Sequence, residues 1–448
     1  MTTQKATSAR WSIFVVLLIL CTINYVDRAV LSVCMPSIQK DLSLDPALVG
    51  VVLSAFFWGY AVMQIPAGWL ADRFRTDKLL IISAVFWGIL QIITGFLSSG
   101  RGFMFVRALL GVSESPMYPA STKMQSVWLT SKERGRGVAV FDSGAAMGTA
   151  LGGPIVVLFI TWFGGWRGAL IGAGILTIVV AALCWRFIRG TPDTNPRVNQ
   201  AERDYLKKAL SEEYESQGVG GAVKASAKEY LTNANFWLMC VGYYCVGSFW
   251  FGIMTWGPSY LSSALHLDIK SIGGAIFIIY GVGVAVEIVG GWFTDKWRQR
   301  GGDINTVMRT LLVIFGIGMA AGMFMVTRST SVIEALVWLA VAVAFERVAG
   351  CLYWSIPAAI SQRKDVGTIA GCMNLSGNVA GVLTPIIIGL VVSSTGSYDL
   401  ALTMFVCFGL GTSVASLFIN YGRKIGSVSP LAIDASHAAA AERPDSGA

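Results

Sequence analysis

Two pairs of opposite charges stand in runs that otherwise look built for lipid. WSIFVVLLILCTINYVDRAVLSVCM carries Asp27 beside Arg28, with Asn24 and Tyr25 just before them, and RALLGVSESPMYPA carries Arg107 and Glu114. At mid-bilayer each such charge costs about 2.5–3.5 kcal/mol on insertion scales, so each needs a partner or a water-filled cavity. On a helix Asn24, Asp27, Arg28 and Leu31 share one face, and Arg107, Glu114 and Tyr118 share another. Two acids and two bases allow a neutral interior cluster, and Tyr60 and Gln64, four apart, can join its wall. The chemistry this supports is capture and release of an anion and a proton. Arg28 offers its charge to a carboxylate, Glu114 holds Arg28 when the site is empty, and Asp27, balanced by Arg107, is a second proton site. The plainer alternative is a salt-bridge network that only holds two helices together.

Farther along, neutral groups replace charges. Asn374, Ser376 and Asn378 lie on one stretch and Tyr353, Trp354 and Ser355 on another, which suits hydroxyls and a carbon skeleton; interhelical hydrogen bonds are the competing role. Asn374, Asn378 and Trp354 are the expected ligand contacts, with Arg28, Tyr60, Glu114 and Tyr118. Phe249 and Trp250 fit lipid contact or a gate as well as a ligand. Glu287, Glu346 and Arg347 fit either an ion-pair network or a site for a second carboxylate. Lys123 and Asp142 lie toward the ends of their runs, as gate charges do. All eight cysteines fall within or at the edge of apolar runs without metal spacing, and His266 and His437 are the only histidines. No nucleophile and base set stands beside the paired charges, so neither an enzyme nor a cofactor or metal is expected.

The elements that must position these residues follow from hydropathy. The 448 residues are 54% hydrophobic and 13% charged, with a mean hydropathy of +0.62, which excludes a soluble protein of this size. Twelve stretches of spanning length can be marked: 12–35, 48–71, 79–99, 102–126, 137–161, 166–188, 236–262, 271–295, 307–327, 332–360, 366–393 and 398–421. They do not alternate as barrel strands do, so the fold is all-α and integral to the membrane. The first run is too long and lacks a cleavage site, so it reads as a retained span rather than a signal peptide. Lys and Arg crowd the connections on one side, among them Arg73, Arg75, Lys78, Lys132, Arg134, Arg136, Lys296, Arg298 and Arg300, which places both termini in the cytoplasm. The net charge of +8 is then topological, with no nucleic-acid partner.

Residues 189–235 are polar and read as a cytoplasmic linker with a surface helix at AERDYLKKALSEEY. Bundles at 1–188 and 236–425 flank it, and an Ala- and Ser-rich tail at 426–448 is expected to be disordered. The bundles echo each other: GWLADRFRTD at Gly68 returns as GWFTDKWRQR at Gly291, and SGAAMGTALGGP ending at Pro154 pairs with a segment reaching Pro385. Two pseudo-symmetric six-helix bundles around a central site are the layout of rocking transporters. In the repeated loop, Gly68 allows close approach, and Asp72, Arg73 and Asp295 form a conformational latch.

GWLADRFRTDK resembles the loop signature of the major facilitator superfamily, with its weaker copy in the second half. NYVDR, RALLGVSESPMYPA and TWGPSYL at 255–261 are similar to its anion:cation symporter group, over residues 11–422. The resemblance implies a multi-pass cell-membrane importer, monomeric, that carries a small carboxylate with protons by alternating access. The cargo it implies is a sugar acid such as galactonate, glucarate or a hexuronate, with Arg28, Asp27 and Glu114 at functional positions. An aromatic carboxylate is the rival cargo, because Ala145 in FDSGAA stands where some sugar-acid carriers have an amide. A proton/drug antiporter is less favoured, because the segment around Pro154 lacks the following Gly-Gly pair.

Overall fold

The computed structural model describes residues 7–218, 227–361 and 365–425, and all regular structure among them is helical. The first half holds α1 (Ala9–Asp41), α2 (Pro46–Arg73), α3 (Thr76–Gly95), α4 (Gly100–Glu114), α5 (Met117–Trp128), α6 (Ser131–Phe163) and α7 (Gly165–Ile188). Two connector helices follow, α8 (Gln200–Gly218) and α9 (Ala227–Leu231). The second half holds α10 (Ala234–Ser263), α11 (Ile269–Gln299), α12 (Ile304–Arg328), α13 (Val332–Tyr353), α14 (Ile356–Ile360), α15 (Val366–Thr395) and α16 (Asp399–Phe418). Eleven segments among the described residues are long and apolar enough to cross a bilayer. The tail expected to be disordered lies outside the described residues.

The stretch expected as one helix over 102–126 is two, α4 and α5, and proline chemistry explains the break. The carbonyl of Val112 should accept from the N–H of residue 116, but Pro116 has none, and Ser115 Oγ donates to it instead at 2.8 Å. The stretch 332–360 divides likewise into α13 and α14. Pro357 withholds its N–H from Tyr353, and Ser355 Oγ donates to the Leu352 carbonyl at 2.7 Å. Each break falls beside a candidate site residue, Glu114 in one half and Trp354 in the other.

Helix starts follow side-chain capping. Asp45 Oδ2 accepts from the Ala47 N–H at 2.9 Å with Pro46 in the first helical position, and Ser331 Oγ accepts from Glu334 at 3.2 Å. The connector is docked as well. The carboxylate of Glu202, on α8 and wholly buried, accepts from the backbone N–H groups of Ala9 and Arg10 and from Arg10 Nη1 at 2.7 Å. Arg10 Nη2 also donates to Glu133 at 2.9 Å, which ties the starts of α1 and α6 to the connector and satisfies orphan donors of α1.

Within the first half α1 packs on α6 and α7, α2 on α4, and α3 on α7; in the second, α10 packs on α15 and α16, α11 on α13, and α12 on α13 and α16. The halves meet along α2 with α15, α6 with α11, and α1 with α10. These contacts lie at the end away from the Lys- and Arg-rich loops. A Cβ on Gly50 would sit 2.5 Å from the Pro385 carbonyl oxygen, one on Gly389 2.7 Å from that of Pro46, and one on Gly153 2.7 Å from that of Gly273. Backbones cross there at a spacing only glycine permits. Ser393 Oγ donates across the same seam to Asp45 at 3.1 Å.

At the opposite end Gly68 has no close neighbour in this conformation: a Cβ there would meet nothing within 4 Å, nor would one on Gly291. Arg73 is exposed and stacks on Trp69 at 5.4 Å. The side chains of Asp72 and Asp295 lie outside the described residues. Replacing Gly50 with Val should force the crossing apart. Spin labels at positions 45 and 393 are expected to show a longer mean distance in Gly50→Val than in the unsubstituted pair.

Candidate functional site

A cavity of about 120 Å³ lies between the halves, walled by seven helices. Its lining follows helical spacing on each. α10 gives Tyr243, Val246, Gly247, Trp250 and Phe251; α13 gives Glu346, Arg347, Gly350 and Cys351, with Trp354 just beyond its end. α1 adds Tyr25 and Arg28, α6 adds Asp142 and Ala145, and α15 adds Asn374, Gly377 and Asn378; Tyr60 of α2 and Tyr118 of α5 complete the wall.

Arg28 is 4% exposed, and its Nε donates to Glu114 Oε2 at 3.0 Å. Glu114, with no exposure, sits behind the wall at the end of α4 and also accepts from Asn24 Nδ2 at 2.8 Å. The guanidinium stacks among three rings, 4.8 Å from the centroid of Tyr25, 4.7 Å from Phe56 and 5.0 Å from Tyr60. Its Nη2 and Glu114 Oε1 have no partner among the described residues. A cation is thus held at Nε by Glu114 while its Nη2 stays without a hydrogen-bond partner among the described residues.

Asp27 and Arg107, expected to balance each other, make no direct ion pair; the hydrogen-bond partners of Asp27 are Trp87 and Thr177. Asp27 points away from the cavity, where its Oδ2 accepts from Trp87 Nε1 at 2.9 Å and Thr177 Oγ1 at 2.6 Å. Adjacent helical residues diverge by about 100°, so Arg28 takes the cavity side and Asp27 the side facing α3 and α7. Arg107, 4% exposed, lies 5.3 Å from the Phe56 ring centroid, with Nε and Nη1 unpartnered among the described residues. Its charge acts on both Glu114 and Asp27.

Of the expected ligand contacts, Arg28, Tyr60, Tyr118, Trp354, Asn374 and Asn378 line the cavity; Glu114 reaches it only through Arg28. Tyr118 and Tyr25 pair their hydroxyls at 3.2 Å. Asn378 turns its amide nitrogen back to the Asn374 carbonyl at 3.0 Å. Ser376 and Tyr353 do not line the cavity. Ser376 donates to Met373, and the Tyr353 and Ser416 hydroxyls pair at 2.8 Å.

Sequence reading missed Tyr243 and set Asp142 at a gate, whereas both face the cavity. The signal for Tyr243 was present: residues 243, 246, 247, 250 and 251 form one helical stripe of aromatic and small residues. Phe57 and Phe251 meet across the seam with centroids 4.6 Å apart, which closes the cavity toward the glycine crossings. Arg347 Nε donates to Glu287 Oε2 at 3.1 Å and its guanidinium lies 4.4 Å from the Trp250 centroid. The ion-pair role and cavity contact left open for these residues therefore coexist.

Two helical bundles with a charged cavity at their seam define a multi-pass membrane transporter rather than an enzyme. The chain belongs to the Major Facilitator Superfamily, whose family model matches residues 17–385. It is 30% identical over 430 residues to the protein named "Probable galactarate/D-glucarate transporter GarP" of Escherichia coli K12, covering 93% of this chain and 96% of that one. It is also 30% identical to "Probable sulfoacetate transporter SauU" of Cupriavidus necator, over 93% and 95% of the two chains. Among solved structures, the xylose transporter XylE from E. coli in its inward open conformation superposes with a TM-score of 0.72 at 16% identity, covering 92% of this chain and 95% of that one.

Glu114→Ala leaves Arg28 buried and unpaired and is expected to cost about 3–5 kcal/mol. Glu114→Gln keeps an acceptor for Arg28 and should cost less. Thermal unfolding in detergent should rank the midpoints as unsubstituted, Gln, then Ala.

Proposed function

We propose that this chain imports a small organic anion of the sugar-acid class together with protons, by alternating access, with twelve spans and both termini in the cytoplasm. In this topology α4 with α5 forms one span and α13 with α14 another. The observation that carries the reading is the placement of Arg28, whose Nε is held by Glu114 while its Nη2, unpartnered, belongs to a cavity-lining side chain. With no anion bound, the Glu114 carboxylate is the counter-charge of Arg28. A proton on Glu114 removes that counter-charge, and an incoming carboxylate replaces it. Proton and anion then favour each other's binding, which is symport expressed as linkage. Asp27, set behind the wall on Trp87 and Thr177, is the second proton site.

The Tyr118, Tyr243, Asn374 and Asn378 side chains offer hydroxyl and amide groups for a polyol. The relative named for galactarate and D-glucarate supports a sugar-acid cargo. The ring faces of Trp250, Phe251 and Trp354 favour a second reading, an aromatic carboxylate. Closure at the glycine crossings, with no close neighbour of Gly68 or Gly291 at the Lys- and Arg-rich loops, supports a conformation open toward the cytoplasm. Transport then requires the opposite arrangement, with Gly68, Asp72, Arg73 and Asp295 brought together as the latch.

Uptake of a labelled anion panel into proteoliposomes, with and without an inward-acid pH gradient, tests the scheme. Sugar acids are expected to compete best, and the gradient should drive accumulation. Glu114→Gln should lose gradient-driven accumulation while still exchanging anion across the membrane; retained accumulation would overturn the coupling role. Asp27→Asn, which keeps an acceptor for Trp87 and Thr177, should likewise weaken the gradient's effect more than exchange.

A further inference from the structure

Behind the cavity wall the first half buries a set of polar atoms that the anion site does not use. Gln91 of α3 has no exposure, and both ends of its amide, Nε2 and Oε1, are without a hydrogen-bond partner among the described residues. The same holds for one oxygen of Asp27, Oδ1, and for two nitrogens of Arg107, Nε and Nη1. A buried amide unmatched at both ends costs free energy that an apolar side chain of the same length would avoid.

Helical register places these groups together. Gln91 follows Trp87 by four residues, one turn along the face from which Trp87 Nε1 donates to Asp27 Oδ2. α3 and α4 pack as antiparallel neighbours across the short connection at 96–99. Gln91 lies four residues before the end of α3 and Arg107 seven after the start of α4, about 6 and about 10 Å from that connection. The arginine side chain leans back toward the start of its helix, which is toward the level of Gln91. The charges of Asp27, Arg107 and Glu114 act on one another.

We infer that Gln91 is a positioning residue that links the proton on Asp27 to the anion site, bridging Asp27 Oδ1 to Arg107 through bound water. This rests on the reading of Asp27 as a proton site and adds the route by which that proton is felt at Arg28. Donor and acceptor character sets the bridge. An ionised Asp27 only accepts and Arg107 only donates, so an amide between them turns its NH2 to the acid and its oxygen to the arginine. Water in each gap carries the same polarity. Asp27 Oδ2 already accepts from Trp87 and Thr177, so an arriving proton takes Oδ1. Oδ1 then donates, the amide turns over, and its NH2 faces Arg107, which is itself a donor. Arg107 is left to Glu114, whose Oε1 is unpartnered among the described residues. A glutamate engaged by Arg107 holds Arg28 less firmly, and Arg28 is released to the carboxylate. The charged groups facing Asp27 are Arg107 and Glu114 of α4, with Arg28 beside it on α1; α3 and α7 present the neutral donors Trp87 and Thr177.

The test combines Gln91→Met, which keeps the length and loses both polar ends, with Asp27→Asn in the full-length protein. In thermal unfolding each single variant should lower the midpoint, and the double variant should lower it by less than their sum, because the groups share one bridge. In binding read by tryptophan fluorescence, the unsubstituted protein is expected to hold D-glucarate about fivefold or more tighter at about pH 6 than at about pH 8. Gln91→Met should reduce that ratio to about twofold or less, with affinity at about pH 8 kept within about threefold. Gln91→Asn, which keeps the amide with water in place of a methylene, should restore part of the ratio. Additive midpoints, a ratio that survives Gln91→Met, or an equal loss of affinity at both pH values would overturn the inference. If Asp27→Asn loses the ratio and Gln91→Met keeps it, the link through Gln91 fails alone. A full ratio in Asp27→Asn, or a ratio near one in the unsubstituted protein, overturns the proton-site reading and the link with it. If D-glucarate does not bind, the sugar-acid reading fails and the same ratios are read with benzoate; failure of both carboxylates overturns the anion site and the link together.

Discussion

The ion pair between Arg28 and Glu114 sets the terms for everything around it. Both charges are out of water, at a cost that apolar residues of the same size would avoid, so packing alone does not account for them. What surrounds the pair keeps it answerable to a ligand. Asn24 takes part of the Glu114 carboxylate, three aromatic rings fix the plane of the guanidinium, and the cavity receives its free edge. The end of α4 at Glu114 serves the same purpose. Pro116 stops the helix one turn short of continuing past the acid, and Ser115 absorbs the orphaned carbonyl. A helix running straight through would carry the acid in a regular hydrogen-bonded turn; the break leaves it at a point where the backbone can adjust.

In the proposed scheme the site faces one side at a time, and the glycines support that reading. Four glycines make backbone crossings at one end of the seam, with Phe57 against Phe251 between them and the cavity. Gly68 and Gly291, in the duplicated loops at the other end, touch nothing. The same kind of residue is therefore engaged at one end and idle at the other, as expected of two surfaces used in alternation.

Much of this was legible in the sequence. Long apolar runs gave the helices, because a bilayer leaves few other structures, and a charge in such a run is too costly to be accidental. Arg28, Tyr60, Tyr118, Trp354, Asn374 and Asn378 could be picked out as polar or aromatic groups on helical faces. The partner of Asp27 could not. Spacing along α1 tells which face Asp27 shares, but Trp87 and Thr177 come from α3 and α7, and only tertiary packing brings them together. Asp142 was misplaced for a related reason: distance from the end of a run is a poor guide to depth when α6 extends from Ser131 to Phe163, well beyond the apolar part. The helix breaks were visible as prolines, yet proline is common in spans that remain whole, as Pro36 in α1 and Pro154 in α6 do.

The duplication makes the two charged ends of the cavity more informative than either alone. Aligned on the helix breaks, Ser115 corresponds to Ser355 and Arg107 to Arg347 at the same spacing. Yet Arg107 is buried beside Phe56 and does not line the cavity, whereas Arg347 does. Conversely α10, the counterpart of α1, carries no charged residue at all and presents Trp250 and Phe251 where α1 presents Arg28. The two cavity arginines are therefore not copies of one ancestral residue. In one half the cation comes from the first helix of the repeat and in the other from the fourth, and each has gained its own glutamate and aromatic support. Repetition explains the pair of bundles and the paired helix breaks. It does not explain a cation at each side of the seam, where each arginine is held at Nε by a glutamate of its own half.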